Sequence, residues 1–119
     1  MLSSNKEIIR QVNLGFESGD TDAILSFLAE DVQWHVNGKL SATDKESFRK
    51  EVNNPAFESV PKINVTKMLE DGDHLAAEGD VECFFKGGKL FHALFFDIYR
   101  IENGKIKEMR SYVVEKPQA

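Results

Sequence analysis

The sequence predicts a single α+β domain in which three N-terminal helices pack on a curved, mainly antiparallel sheet. Three observations predict it. Apolar residues recur at helical spacing in three segments, the last carrying Phe48 and Val52. From Pro61 onward, four β segments are separated by Asp71-Gly72, Gly87-Gly88 and Asn103-Gly104, pairs suited to positive φ. Leu90 to Ile101 is apolar at both parities, as in a strand covered on both faces.

The elements follow in order. Ser4-Asn5-Lys6-Glu7 has capping-box spacing, and Ile8, Ile9, Val12 and Phe16 share one face of a first helix ending near Gly19. Asp20 caps a second helix, whose apolar face is Ile24, Leu25, Phe27 and Leu28. Val32, Trp34 and Val36 then alternate with Gln33 and His35 in a short strand stopped by Asn37-Gly38. Thr43-Asp44-Lys45-Glu46 reads as another capping box, opening a third helix that carries Phe48 and Val52 and closes at Asn53-Asn54-Pro55. The remainder is an antiparallel meander.

The chain has 119 residues, 41% of them hydrophobic, which suits one domain spanning 1–119. A single Cys excludes an internal disulfide. Fifteen Lys and Arg against twenty Asp and Glu, with no clustered basic stretch, argue against nucleic-acid binding. No run approaches a membrane span and the N-terminus lacks an apolar signal core, so the expectation is a cytoplasmic protein without a membrane partner. His35, His74 and His92 show no metal-ligand spacing, and Gly87-Gly88 precedes no helix, so neither a metal nor a nucleotide cofactor is implied.

Four strings carry a family resemblance: Phe16-Glu17-Ser18-Gly19-Asp20, Leu28 to His35, Asp97-Ile98-Tyr99-Arg100, and Glu102 to Ile106 leading to Arg110-Ser111-Tyr112. With these the chain resembles the NTF2-like superfamily, in its SnoaL-like polyketide cyclase and ketosteroid-isomerase-like branch. The resemblance implies a cone-shaped sheet wrapped by helices around an apolar pocket, frequently in a homodimer. It also implies a cofactor-independent isomerase- or cyclase-like activity, or a related lyase or hydrolase activity, although the scaffold equally serves non-catalytic ligand-binding or dimerisation modules. Ketosteroid isomerase uses a protonated carboxyl, a carboxylate base and a tyrosine. Asp97 matches the first of these, whereas Val36 and Val12 stand at the positions of the other two.

Asp97 is the leading candidate for acid/base work, because the flanking Ala93-Leu94-Phe95-Phe96 and Ile98-Tyr99 should raise its pKa. His35 is the second catalytic candidate, as a pocket acid/base. Phe16, Trp34, Val36, Tyr99 and Met109 are the candidate pocket residues, for a small apolar, carbonyl-bearing ligand. Asp97's neighbour depends on a turn. A two-residue hairpin at Asn103-Gly104 places Arg110 opposite it as an ion pair, and a three-residue turn places Met109 there.

A two-residue count across Gly87-Gly88 sets Glu78 opposite Asp97 and His92 opposite Cys83. It also divides the clustered phenylalanines, with Phe85 and Phe96 on one face and Phe84, Phe91 and Phe95 on the other. One face should meet the helices and the other a second subunit, in a homodimer through the outer sheet face.

Overall fold

The structure is a computed structural model that describes residues 4–53 and 59–117, apart from the side chain of Ser4. Among the described residues, three helices, α1 (Ser4–Ser18), α2 (Thr21–Ser26) and α3 (Lys45–Val52), accompany six strands. The strands are β1 (Leu28–Val36), β2 (Lys39–Ala42), β3 (Lys62–Asp71), β4 (His74–Phe84), β5 (Leu90–Glu102) and β6 (Lys105–Glu115). They form one curved, unclosed sheet in the order β2-β1-β6-β5-β4-β3. Only β1 and β6 pair in parallel; every other neighbouring pair is antiparallel.

Asp20 caps α2 by accepting from the Ala23 amide at 3.1 Å. That helix stops at Ser26, so Leu28 opens β1 rather than extending the helical face. The capping box of α3 lies one residue later than its sequence suggests: Asp44 accepts from the Ser47 amide, and Ser47 accepts in return from the Asp44 amide. Thr43 lies between β2 and α3, and its amide also donates to Ser47 Oγ at 2.9 Å. The capping box expected at Ser4 and the helix stop at Asn54-Pro55 fall outside the described side chains and residues. Asn37-Gly38, with both residues at positive φ, joins β1 to the short β2, which the sequence reading did not anticipate.

One hydrophobic core takes Ile9 and Val12 from α1, Ile24 and Leu25 from α2 and Phe48 from α3. These pack with Leu28, Val32, Leu75, Ala77, Phe95, Tyr99, Ile101 and Ile106 of the sheet. On β5 the odd-numbered residues from Ala93 to Ile101 are buried, whereas Leu94 and Phe96 on the other face are exposed.

Two registers differ from the simple counts. The β4–β5 hairpin closes through Phe85, whose amide donates to the Lys89 carbonyl at 2.8 Å, leaving the three-residue loop Lys86-Gly87-Gly88. With three loop residues instead of two, Ala77 opposes Asp97, Glu78 opposes Phe96, and Cys83 opposes Phe91. His92 therefore does not face Cys83; its Nε2 lies 3.2 Å from Asp80 Oδ2. Phe85 turns inward and packs edge-on against Phe91, while Phe84 joins Phe96 outside.

The second register concerns β6. Asn103-Gly104 is a two-residue turn, so Glu102 pairs with Lys105 and Ile101 with Ile106, but Arg100 then pairs with Glu108. Lys107 is an extra residue, a β-bulge, and beyond it the faces of β6 exchange parity. Asp97 consequently faces Ser111. Met109 lies opposite Tyr99 and Arg110 opposite Ile98, so neither expected neighbour of Asp97 is found.

Candidate functional site

The inward face of β5 and β6 frames a cavity of about 180 Å³. Asn13 and Phe16 come from α1, Trp34 and Val36 from β1, and Ile63 from β3. Val81 of β4, Phe95 and Asp97 of β5, and Met109, Ser111 and Val113 of β6 complete most of the wall. Alternation places each of these β5 and β6 side chains on one face. Their shared face depends on the Lys107 bulge, which brings Ser111 rather than Arg110 beside Asp97.

Asp97 is 8% exposed and, among the described residues, forms no ion pair. Burial pushes its carboxyl from an ordinary 3.8 up to about 6; hydrogen bonds from Ser111 and Tyr99 act in the opposite direction and are outweighed. The Tyr99 hydroxyl donates to Asp97 Oδ2 at 3.2 Å. Tyr99 itself is buried, and burial followed by the adjacent carboxylate holds its phenol well above the usual value. It stands behind Asp97 and does not line the cavity.

Trp34 is fixed from two sides. Its ring stacks on Phe48 with centroids 4.6 Å apart, and its Nε1–H donates to Ser111 Oγ at 2.9 Å. An indole nitrogen can only donate, so Ser111 Oγ is the acceptor there and its own proton is free to turn to Asp97. Trp34 thus donates to Ser111 and Tyr99 to Asp97, and Ser111 and Asp97 stand opposite each other on neighbouring strands.

Asp97, Phe16, Trp34, Val36 and Met109 meet at the cavity. His35 does not join them. It pairs with Arg110 of β6, on the opposite parity from Trp34, and its buried Nδ1 has no hydrogen-bond partner among the described residues. Ser111 was absent from the sequence-derived site, although it follows Met109 by two residues and therefore shares its face. Among the described residues there is no cluster of His, Cys, Asp and Glu able to hold a metal ion. Cys83 is buried, and burial raises its thiol pKa, away from a reactive thiolate.

Comparison with known proteins agrees with this architecture. Among solved structures, an NTF2-like protein of unknown function from Burkholderia pseudomallei superposes with a TM-score of 0.83 at 18% identity, covering 92% of this chain and 90% of that one. TerC, co-crystallised with polyporic acid, gives 0.81 at 19% identity over 96% and 92% of the two chains. A Catenulispora acidiphila protein with a ketosteroid isomerase-like fold, in complex with trimethylamine, gives 0.80 at 18% identity over 89% and 84%. These likenesses carry the fold alone. No protein of curated function matches. The model of the SnoaL-like domain matches residues 9–109, and the chain belongs to that family.

Proposed function

We propose that the domain binds a small apolar, carbonyl-bearing molecule in this cavity and that Asp97 exchanges a proton with it, without a cofactor. The observation that supports this reading is Asp97 itself, a buried carboxyl on an apolar wall, free of any ion pair among the described residues and with a pKa of about 6. Such a group passes between base and acid near neutral pH. The ionised carboxylate removes a proton from the carbon next to a carbonyl, leaving the C–H electron pair in an enolate and giving a protonated Asp97. Returning that proton to another atom of the enolate completes an isomerase- or cyclase-type step. TerC with polyporic acid and the Catenulispora protein with trimethylamine show small organic molecules accompanying this fold elsewhere.

Val36 lies on the cavity wall and Val12 in the core, at the positions where the resemblance to ketosteroid isomerase would call for a base and a tyrosine. One carboxyl then serves as both base and acid, which suits a substrate whose hydrogen is already acidic. Deuterium exchange into cyclic 1,3-diketones, followed by NMR, tests the reading. Exchange should accelerate as pH rises through 6, and Asp97→Asn should abolish the protein-dependent rate while keeping the fold. An unchanged rate in that variant removes Asp97 from the chemistry.

A second reading, a non-catalytic binding module, draws on the position of His35. With His35 off the cavity, Asp97 is the only ordinary acid/base side chain on its described wall. Ligand binding without exchange is the outcome expected of such a module. In either case we propose a cytoplasmic homodimer joined through the outer sheet face, where Leu94, Phe96, Tyr112 and Val114 are exposed, with no nucleic-acid or membrane partner. Among the described residues no helix is long and apolar enough to cross a membrane.

A further inference from the structure

We infer that the cavity favours ligands of one ring or two fused rings that present a hydrogen-bond donor to Asp97 over larger ring systems and over isosteres lacking the donor. The inference rests on the proposal that the cavity binds a ligand, and adds the ligand's size and polarity.

Size follows from volume. The space is about 180 Å³. An apolar protein cavity of about 150 Å³ holds benzene, and pockets for drug-sized molecules run from about 300 Å³ upward. The space is open to solvent, so a fused pair of rings is about what it shelters and a third ring stands outside its walls. Phe16, Phe95 and Trp34 bound the space, and Phe48 stacked behind Trp34 opposes its retreat.

Polarity follows from counting hydrogens. Of the polar groups around Asp97, Trp34 Nε1–H is engaged by Ser111 and the Tyr99 hydroxyl by the carboxylate, while the Ser111 hydroxyl, opposite Asp97 on β6, can turn its proton to the same carboxylate. With Ser111 turned to the ionised carboxylate, none of the three has a proton left for a ligand. The neighbouring wall is β-strand, whose backbone groups are paired in the ladder. What remains is the unused acceptor capacity of the Asp97 oxygens, since an ionised carboxylate offers about four lone-pair sites. Asn13 is the other polar side chain on the wall, and it also lines the open groove between α1 and β3, which places it at the cavity's edge. A ligand carbonyl aimed at the ionised carboxylate meets lone pairs, whereas an N–H, an enol O–H or an acidic C–H meets an acceptor. The carbonyl of a reactive ligand should therefore point away from Asp97 and its acidic hydrogen toward it.

An isosteric series tests this on the native chain: indole, which carries an N–H; indene, which has neither donor nor acceptor; and carbazole, the three-ring N–H analogue. Trp34 is the only tryptophan, so its single indole N–H resonance reports on the cavity without ambiguity. At pH 8 indole should bind about tenfold to a hundredfold more tightly than indene, the range for a hydrogen bond to a charged acceptor. Carbazole, whose third ring has no wall to rest on, should bind more weakly than indole. Asp97→Ala should reduce indole to the affinity of indene. Equal binding of indole and indene, or binding of carbazole as tight as that of indole, overturns the inference while leaving the cavity a binding site. If no member of the series shifts Trp34, the underlying binding proposal fails with it. Should Asp97→Ala not fold, the comparison of indole with indene still decides.

Discussion

Asp97 costs the fold stability in proportion to how well it suits proton transfer. A carboxyl whose pKa rises from 3.8 to about 6 on folding binds its proton more tightly in the native state. The penalty for keeping it ionised is absent below the unfolded value, grows as pH rises through the interval, and is fully present above about 6. At one pKa unit per 1.36 kcal/mol, the penalty approaches ~3 kcal/mol at pH 8. Asp97→Asn removes the charge while its amide can still accept from Tyr99 and donate to Ser111. The variant should be more stable than the parent at pH 8 by up to ~3 kcal/mol, with the advantage shrinking toward pH 4. Urea unfolding at the two pH values measures it, and a difference independent of pH would show that Asp97 is not held in the strained ionic state described here. Asp97 stands out in the sequence because an acid inside Leu94-Phe95-Phe96 and Ile98-Tyr99 has few ways to avoid burial. Ser111 does not stand out: a hydroxyl between Arg110 and Tyr112 acquires its role only from the face it is turned to.

At the scale of elements, that face is decided by one departure from regular pairing, the Lys107 bulge, which leaves little trace in composition. The Asn37-Gly38 and Asn103-Gly104 turns are legible, since both residues of each adopt positive φ and such pairs favour it. The Lys107 bulge is not, because a lysine fits an ordinary strand equally well; its ammonium reaches Asp31 at 2.9 Å, a contact made only in the folded sheet. β2 was missed for a related reason, as its four residues Lys39, Leu40, Ser41 and Ala42 are too short and too polar to form a pattern. β3 and β4 also depart from regular pairing at Thr66, and beside it the backbone of β3 lies close to Gly79 of β4. A Cβ placed on Gly79 would overlap the Asn64 carbonyl oxygen and come within 3.0 Å of the Phe95 ring. Gly79→Ala should then destabilise the protein by about 2 kcal/mol or more, with β3 forced outward. Because Ile63 of β3 and Phe95 both line the cavity, the same variant should weaken ligand binding. A parental urea midpoint would refute the close approach.

For the whole molecule, the two-sided composition of β5 sets the remaining question, since its inner face meets the helices while its outer face is left to solvent. On that outer face Leu94 pairs with Val114 and Phe96 with Tyr112, so the four exposed side chains are cross-strand neighbours rather than scattered residues. Contiguous apolar surface of this kind on a sheet marks an association site, and a two-fold arrangement lets one patch cover its own copy. A stable dimer of ordinary size buries about 800 Å² on each partner, which requires the patch to extend beyond these four side chains. Glu78, Asp80 and Lys116 stand beside them and supply a polar rim. Sedimentation at micromolar concentration should therefore give a dimer. Val114, 65% exposed, contributes nothing to the core, so Val114→Glu leaves the monomer intact while placing a like-charged pair in a two-fold contact. The expected result is a folded monomer with the cavity still able to bind. A native chain that sediments as a monomer would leave the outer face of β5 to water and remove dimerisation as the reason for its apolar residues.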